Sequence, residues 1–298
     1  FHDELFADSS AIPTTLVSKE ARKDVTVALS ADGGDEVFGG YNRYDYMYRY
    51  GKTLNLIPNA IGKFLAGAMN NIPSEKIPIL KNKYNFHNRY ERLKTFLKNS
   101  NKKEIMLNLS QQFNDEQMKS VMKSEFKSLP TMFQSKEMLE NFKSPLSYMM
   151  AIDFQTYMLD DILQKVDRAT MTNSLEGREP MLDHRILEFA AQLPDEYKYQ
   201  NGIKKRILRE ITHDYIPKEL LDRPKMGFAI PIAKWLKNEL RDHVEEYLNE
   251  DRIEKQGIFN WDFIAKLKGD FFGDRKEYDS KLWYFLMFQM WYERWMEN

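Results

Sequence analysis

The chain contains no cysteine, no long apolar run and no excess of one charge sign, and each absence excludes a class of protein. Without thiols the 298 residues can form no disulfide, thiolate metal site or cysteine nucleophile, a composition that is compatible with the cytoplasm. With 44 basic and 45 acidic residues the net charge is −1, so binding to nucleic acid through bulk charge is not expected.

No apolar run approaches the roughly 18 residues that a membrane span requires, and the opening Phe1-His-Asp-Glu lacks the basic and apolar regions of a signal peptide. We therefore expect a soluble, cytoplasmic protein with no membrane partner. The length of 298 residues with 42% hydrophobic content allows one large or two ordinary domains. Because the first residue is Phe1 and the opening resembles a domain interior, we expect an excised piece of a longer protein.

The most informative segment of the sequence runs from Val25 to Tyr41. In it an apolar run is followed by four glycines that are interspersed with carboxylate residues. Val25–Leu29 is short and rich in β-branched residues, which predicts a strand buried on both faces of a parallel sheet. We call Ser30–Glu36 the acidic turn. Its glycines allow a phosphorylated ligand to approach the main chain, and its carboxylates are ligands that Mg²⁺ accepts. The alternative is a solvated strand-to-helix turn.

The rest of the chain reads as mostly helical, which with the first strand gives an α/β fold class. The segment Thr14–Lys23 has apolar residues at helical spacing and leads into the strand. After Tyr41 the strand signals almost vanish, and prolines divide the sequence into helices joined by turns. Helices are predicted within residues 44–142, over 148–172, 186–193, 203–214 and 232–248, and through the aromatic-rich last fifty residues.

Two further segments carry clustered cations. The predicted helix of residues 148–172 carries Lys165, Asp167 and Arg168 close together. The alternative is an ordinary surface ion pair, because Asp161 precedes Lys165 by four residues and the two side chains would share one helix face. The segment Leu221–Pro231 contains two prolines, a glycine, an arginine and a lysine. This composition predicts a loop that acts as a phosphate clamp and closing lid, with a solvated basic turn as the alternative.

These segments, in this order, resemble the synthetase domain of asparagine synthetase and its amidotransferase relatives. The resemblance covers nearly the whole chain, so one synthetase domain over residues 1–298 is expected. Five motifs carry it: Leu5–Thr14, Leu29–Tyr41, Asp160–Ala169, Glu176–Asp183 and Asp222–Phe228.

The resemblance implies a partial ATP-pyrophosphatase-type fold in which MgATP activates a carboxylate, most often aspartate, as an acyl adenylate that ammonia converts to an amide. It implies an N-terminal glutaminase domain as the ammonia source and leaves a homodimer open. It also assigns site residues: Ser30 and Ala31 beside the adenosine, Gly33 and Gly34 in the nucleotide cradle, Asp35 on Mg²⁺ and pyrophosphate, Asp32 near the acyl centre, Tyr41 and Lys225 near the reacting phosphate, and Lys165 and Arg168 at the pocket border.

Departures from the family pattern limit the expectation. The family's Ser-Gly-Gly-x-Asp-Ser pyrophosphate loop occurs nowhere in the 298 residues, and no cysteine is present for glutamine hydrolysis. Ala31 replaces the usual glycine, while Gly177 and Glu179 stand where many relatives carry valines. These residues alone are expected to be inactive, and three alternatives stay open: a β-lactam synthetase-like enzyme, a polysaccharide amidotransferase, and a noncatalytic helical module that retains site residues.

Overall fold

The structure is a computed structural model, and the chain is mostly helical with two small sheets. The structure describes residues 3–72, 77, 90, 93–94, 96–98, 101–221, 228, 230–273 and 278–297. Most of the predicted loop Leu221–Pro231, including Lys225, lies outside the described residues. The α/β class is confirmed in its coarse form, because parallel strands and helices occur together.

One sheet pairs β1 (Val27–Leu29) in parallel with β2 (Glu176–Arg178). Ala28 lies opposite Gly177, and the pairing continues past the strand, since the Ser30 amide donates to the Arg178 carbonyl at 2.8 Å. The predicted parallel pairing is confirmed, but the predicted burial is wrong. Val27 is 36% and Leu29 is 73% exposed, so the face of β1 that carries them is not covered by the described residues, and β1 pairs along one edge only within them.

Helices make up most of the rest of the described chain. Those of the first half are α1 (Ala11–Ala21), α2 (Gly34–Phe38), α3 (Asn42–Asn55), α4 (Asn59–Asn70), α5 (Lys102–Ser110), α6 (Asp115–Val121) and α7 (Lys136–Asn141). Those of the second half are α8 (Pro145–Gln155), α9 (Gln164–Met171), α10 (His184–Gln192), α11 (Asp195–Lys198), α12 (Arg206–His213), α13 (Lys218–Leu221), α14 (Ile232–Lys237), α15 (Arg241–Tyr247), α16 (Glu250–Gln256), α17 (Trp261–Phe272) and α18 (Asp279–Met296).

A one-and-a-half-turn π-helix, Met158–Leu163, separates α8 from α9. Helix α8 begins where the Ser144 hydroxyl accepts the Ser147 amide and Pro145 occupies the first turn, a favoured N-terminal arrangement. The sequence predicts one helix over residues 148–172, and the wider π-turn interrupts it. A π-helix has more residues per turn than an α-helix. Asp160 and Asp161 therefore have a different orientation relative to Lys165 than they would have on one continuous α-helix.

A short hairpin precedes α12, where the sequence predicts helix from residue 203. Strands β3 (Tyr199–Gln200) and β4 (Ile203–Lys204) pair antiparallel. Asn201 and Gly202 connect them with φ angles of 51° and 86°, the left-handed conformation that a tight two-residue hairpin turn requires. The Asn-Gly pair is therefore the physical reason why the helix starts at Arg206 instead.

Two large apolar clusters form the core. The first joins α3, α5 and α8 around Tyr44, Met106 and Met149, and the second joins α14 to α18 around Leu236, Phe271 and Leu286. The buried methionines and aromatic residues of both clusters pack between helices. The predicted helix over residues 232–248 is two helices, α14 and α15, because the chain turns at Asn238. Among the described residues, no helix is long and apolar enough to cross a membrane.

Candidate active site

The acidic turn follows β1 directly and leads into α2. The Ser30 hydroxyl donates to the Asp32 carboxylate, and its oxygen accepts the Asp32 amide at 3.1 Å. Gly33 has a φ of 83°, and a Cβ at this position would lie 2.2 Å from Leu182 Cδ2. A side chain is excluded here on both conformational and steric grounds. The turn thus places Ser30 and Asp32 at the carboxyl end of a parallel strand, where ligands bind in open α/β sheets.

Asp35, in the first turn of α2, forms an ion pair that the sequence did not predict. Its Oδ1 lies 2.8 Å from Lys205 Nζ, and Lys205 itself has a φ of 52°. A left-handed lysine carries conformational strain of order 1 kcal/mol, which the surrounding structure must offset. A Cβ on Gly40 would lie 1.7 Å from Asp35 Oδ1 and 2.3 Å from Lys205 Cε. Because Gly40 has no side chain, the side chains of Asp35 and Lys205 have room to pair.

Glu36 and Tyr41 form a second, more buried pair beside Asp35. The Tyr41 hydroxyl donates to Glu36 Oε1 at 2.5 Å. Burial raises the pKa of Glu36 above its usual value, and the hydrogen bond from Tyr41 acts in the opposite direction. Burial, followed by the charge of Glu36, raises the pKa of Tyr41 far above its usual range. The tyrosine is therefore a hydrogen-bond donor, not a base, at neutral pH.

Arg43 connects Tyr41 to the helix α8. Its guanidinium carbon lies 4.5 Å from the centre of the Tyr41 ring and 4.7 Å from that of Tyr157, in cation–π range of both. Nε donates to Asp153 Oδ2 at 2.9 Å, and Nη2 lies 2.8 Å from Oδ1. Tyr44 also donates to Asp153 Oδ2 at 2.5 Å. The result is a guanidinium–carboxylate ion pair with one hydrogen bond through Nε and a second close contact at Nη2, and its carboxylate is only 1% exposed.

Lys165 is buried and binds the segment before α1. Its Nζ lies 2.9 Å from Asp8 Oδ2 and 2.8 Å from Ser10 Oγ. Burial acts to raise the pKa of Asp8, but hydrogen bonds from Ser10 and Lys165 outweigh it and the pKa is lowered. The alternative of a surface pair between Asp161 and Lys165 is wrong, because the intervening π-helix and the nearby Asp8 direct the ammonium inward.

A cavity of about 610 Å³ is lined by Asp8, Arg43 and Asp153 and by side chains of both apolar clusters. Its walls come from the segment before α1, from α3, α5, α8, the π-helix, α14 and α18. The charged side chains in these walls are Asp8, Arg43, Asp153, Asp160 and Asp161. Burial, followed by the neighbouring Asp8, raises the pKa of Asp161 to about 7.

The structure brings the predicted site residues together in part. Ser30, Asp32, Gly33, Gly34 and Asp35 share the acidic turn. Tyr41 reaches the turn through Glu36, whereas Lys165 binds Asp8 and the half-exposed Arg168 forms an ion pair with Asp3 at 3.3 Å. Ala31 is exposed at the turn. Lys225 lies outside the described residues, so its predicted approach to Asp35 stays a prediction.

Sequence reasoning missed Lys205, Glu36 as a partner of Tyr41, and Arg43. A signal for Lys205 was present, because the Asn201-Gly202 pair predicts a hairpin that ends beside it. No group of three or more His, Asp or Glu side chains within the described residues is arranged to hold a metal. One or two carboxylates nevertheless suffice for a Mg²⁺ that phosphate oxygens also hold, so Asp35 as the metal ligand stays a prediction.

The family model for asparagine synthase matches residues 1–293 of the chain. This chain belongs to the asparagine synthase family. The asparagine synthetase [glutamine-hydrolyzing] 1 of Bacillus subtilis is 33% identical over 293 residues, covering 97% of this chain and 44% of that protein. The asparagine synthetases [glutamine-hydrolyzing] of Cricetulus griseus and Mus musculus are 40% and 39% identical over 102 residues, each covering 32% of this chain and 18% of the relative. The chain therefore spans less than half the length of these curated relatives, and no solved structure matches it.

Proposed function

We propose that this chain is the synthetase part of a glutamine-dependent asparagine synthetase. In this proposal ATP activates a carboxylate, aspartate by family majority, as an acyl adenylate with release of pyrophosphate, and ammonia from an N-terminal glutaminase domain then displaces AMP to form the amide. The observation that carries the proposal is the Asp35–Lys205 pair beside Ser30 and Asp32, at the carboxyl end of the parallel strand β1. This pair provides a carboxylate that can bind Mg²⁺ and a cation that can bind phosphate oxygens, and a Mg-phosphate group requires both kinds of contact.

The residues have separate tasks in this reaction. Mg²⁺, when bound, neutralises charge on the phosphate oxygens. Asp35 would hold it, Lys205 would turn its ammonium from Asp35 to the departing pyrophosphate, and Ser30 would contact the adenosine. Asp32 would accept a proton from the attacking ammonia, and Tyr41 would donate toward the reacting phosphate. Lys225 is proposed as a second cation at that phosphate, with Lys165 and Arg168 at the pocket border.

The exposed second edge of β1 supports the finer fold proposal. A two-stranded parallel sheet with exposed valine and leucine is unusual, since parallel sheets are normally covered on both faces. We propose that β1 and β2 are part of a larger ATP-pyrophosphatase-type sheet whose phosphate loop lies outside these residues. Because the Ser-Gly-Gly-x-Asp-Ser run is absent from the sequence, we expect little turnover by the 298 residues alone.

The first test of this function is MgATP binding to the 298-residue chain by isothermal titration calorimetry. Asp35→Asn removes one charge and is expected to weaken binding about tenfold, equivalent to about 1.4 kcal/mol. Gly40→Ala, which forces Asp35 and Lys205 apart, is expected to act in the same direction. Gly269→Ala is the matched control, because its Cβ would meet nothing within 4 Å.

The second test is pyrophosphate release by the full-length gene product that contains these residues. Release that requires aspartate supports the proposal, and release with another carboxylic acid instead would favour a β-lactam synthetase-like enzyme or a polysaccharide amidotransferase. Absence of both MgATP binding and pyrophosphate release would reject the enzyme and favour a noncatalytic helical module.

A further inference from the structure

Arg43 lines the cavity with only part of its hydrogen-bonding capacity used. A guanidinium carries five N–H donors in a planar fork, and here Nε and Nη2 face the Asp153 carboxylate. Its Nη1 has no hydrogen-bond acceptor in the part of the chain that the structure describes. Arg43 therefore pairs with Asp153 on one side of its guanidinium, and its remaining N–H donors can bind a second carboxylate.

The position of this fork is fixed from several directions. Tyr41 and Tyr157 flank the guanidinium at 4.5 and 4.7 Å, and Asp153 accepts a third donor, the Tyr44 hydroxyl. A buried ion pair of this kind is weak evidence for stability, because desolvation of both charges offsets most of their attraction. A rigid, pre-oriented fork is, however, what selective recognition of a carboxylate requires.

Carboxylates in the same cavity complement Arg43. Asp8 is neutralised by Lys165 and Asp153 by Arg43, which leaves Asp160 and Asp161 on the π-helix as acceptors for a cation. Arg43 and Asp161 line this cavity together. A guanidinium and carboxylates in one cavity are complementary to a molecule that carries both a carboxylate and an ammonium group.

We propose that Arg43 is a specificity-determining residue that binds the α-carboxylate of an α-amino-acid acceptor, while Asp160 and Asp161 receive its α-ammonium group. This inference rests on the proposed function and assigns the acceptor to the 610 Å³ cavity. Tyr41 links this cavity wall to the acidic turn, since it contacts Arg43 through its ring and Glu36 through its hydroxyl.

The test is a titration of the 298-residue chain with three acids, with and without Mg²⁺ and α,β-methylene-ATP. L-Aspartate carries both groups, 3-aminopropanoate lacks the α-carboxylate and succinate lacks the ammonium. The wild-type chain is expected to bind L-aspartate at least tenfold more tightly than either analogue, the effect of one charge-assisted hydrogen bond. Arg43→Lys, which keeps the charge beside Asp153 and loses the fork, is expected to remove the preference over 3-aminopropanoate and leave nucleotide binding unchanged.

Arg252→Lys is the matched control, because Arg252 also stacks on a tyrosine, Tyr247 at 4.7 Å, and pairs with Glu293, but does not line the cavity. If Arg43→Lys fails to fold, Asp160→Asn decides, since it is expected to remove the preference over succinate alone. Equal binding of the three acids by the wild type, or equal loss for all three in Arg43→Lys, overturns the inference even if aspartate-dependent pyrophosphate release occurs. Selective binding without pyrophosphate release would reject the proposed function and leave the inference standing.

Discussion

At the scale of single residues, Asp161 is the cavity carboxyl whose surroundings most disfavour a negative charge. Burial and then the charge of Asp8 raise its pKa from 3.8 to about 7. Between these two pH values the folded chain binds more protons at this site than the unfolded chain. The free energy of unfolding contributed by Asp161 is therefore greatest below pH 3.8 and falls as the pH rises to about 7.

Asp161→Asn is expected to remove this loss, because the amide stays neutral at every pH. The side chain is partly exposed, so solvent screening reduces the effect to about 1 kcal/mol, or roughly 2 °C in Tm at pH 8. Thermal unfolding at pH 4 and pH 8 measures it: the variant should gain clearly more stability over the wild type at pH 8 than at pH 4. The exposed Asp24→Asn is the control. Parallel pH profiles of the wild type and Asp161→Asn would contradict this account.

The residues that sequence reasoning placed best are those whose chemistry is local. Ser30, Asp32 and Gly33 follow from a strand that ends in a glycine turn, and their hydrogen bonds span two residues. The partners Lys205 of Asp35 and Asp8 of Lys165 lie 170 and 157 positions away along the chain. Such pairs depend on how helices pack, and no periodicity in one sequence encodes them.

At the scale of elements, β1 is the clearest difference between expectation and structure. Its composition predicts the strand and the parallel pairing, but the burial of a strand is decided by which neighbours cover it. β1 has one paired edge among the described residues and presents Leu29 and Val27 to solvent, and Leu16 of α1 is also 62% exposed. An apolar strand edge of this kind is a site of association.

Leu29→Lys is therefore expected to reduce self-association of the 298-residue chain while changing the free energy of unfolding by less than about 0.5 kcal/mol. Sedimentation velocity and thermal unfolding provide the two measurements. Leu129→Lys is the control, because Leu129 is 80% exposed in a connecting segment away from any strand. A fall in Tm of several degrees for Leu29→Lys would show that Leu29 is covered in the molecule, contrary to this description.

At the scale of the whole molecule, the last helix holds the beginning of the chain. Trp283 and Trp291 of α18 donate their indole N–H groups to the carbonyls of Ala7 and Asp3 at 2.9 and 3.0 Å. The segment held in this way carries Asp8, which pairs with Lys165 and forms part of the cavity wall. Contacts across more than 270 residues thus position the candidate site, so its geometry depends on both ends of the sequence.

Trp283→Phe tests this dependence, since it keeps an aromatic ring in a 5% exposed position and removes the donor to Ala7. We expect a loss of about 1–3 kcal/mol from the unpaired carbonyl and the smaller ring, with helix content unchanged. Hydrogen exchange monitored by mass spectrometry should show faster exchange of amides 4–10 than in the wild type. Trp295→Phe, at a 48% exposed position near the end of the same helix, should leave that exchange unaltered. If both variants speed exchange equally, or neither does, the indole of Trp283 does not hold the segment, and the position of Asp8 must depend on Lys165 and Ser10 alone.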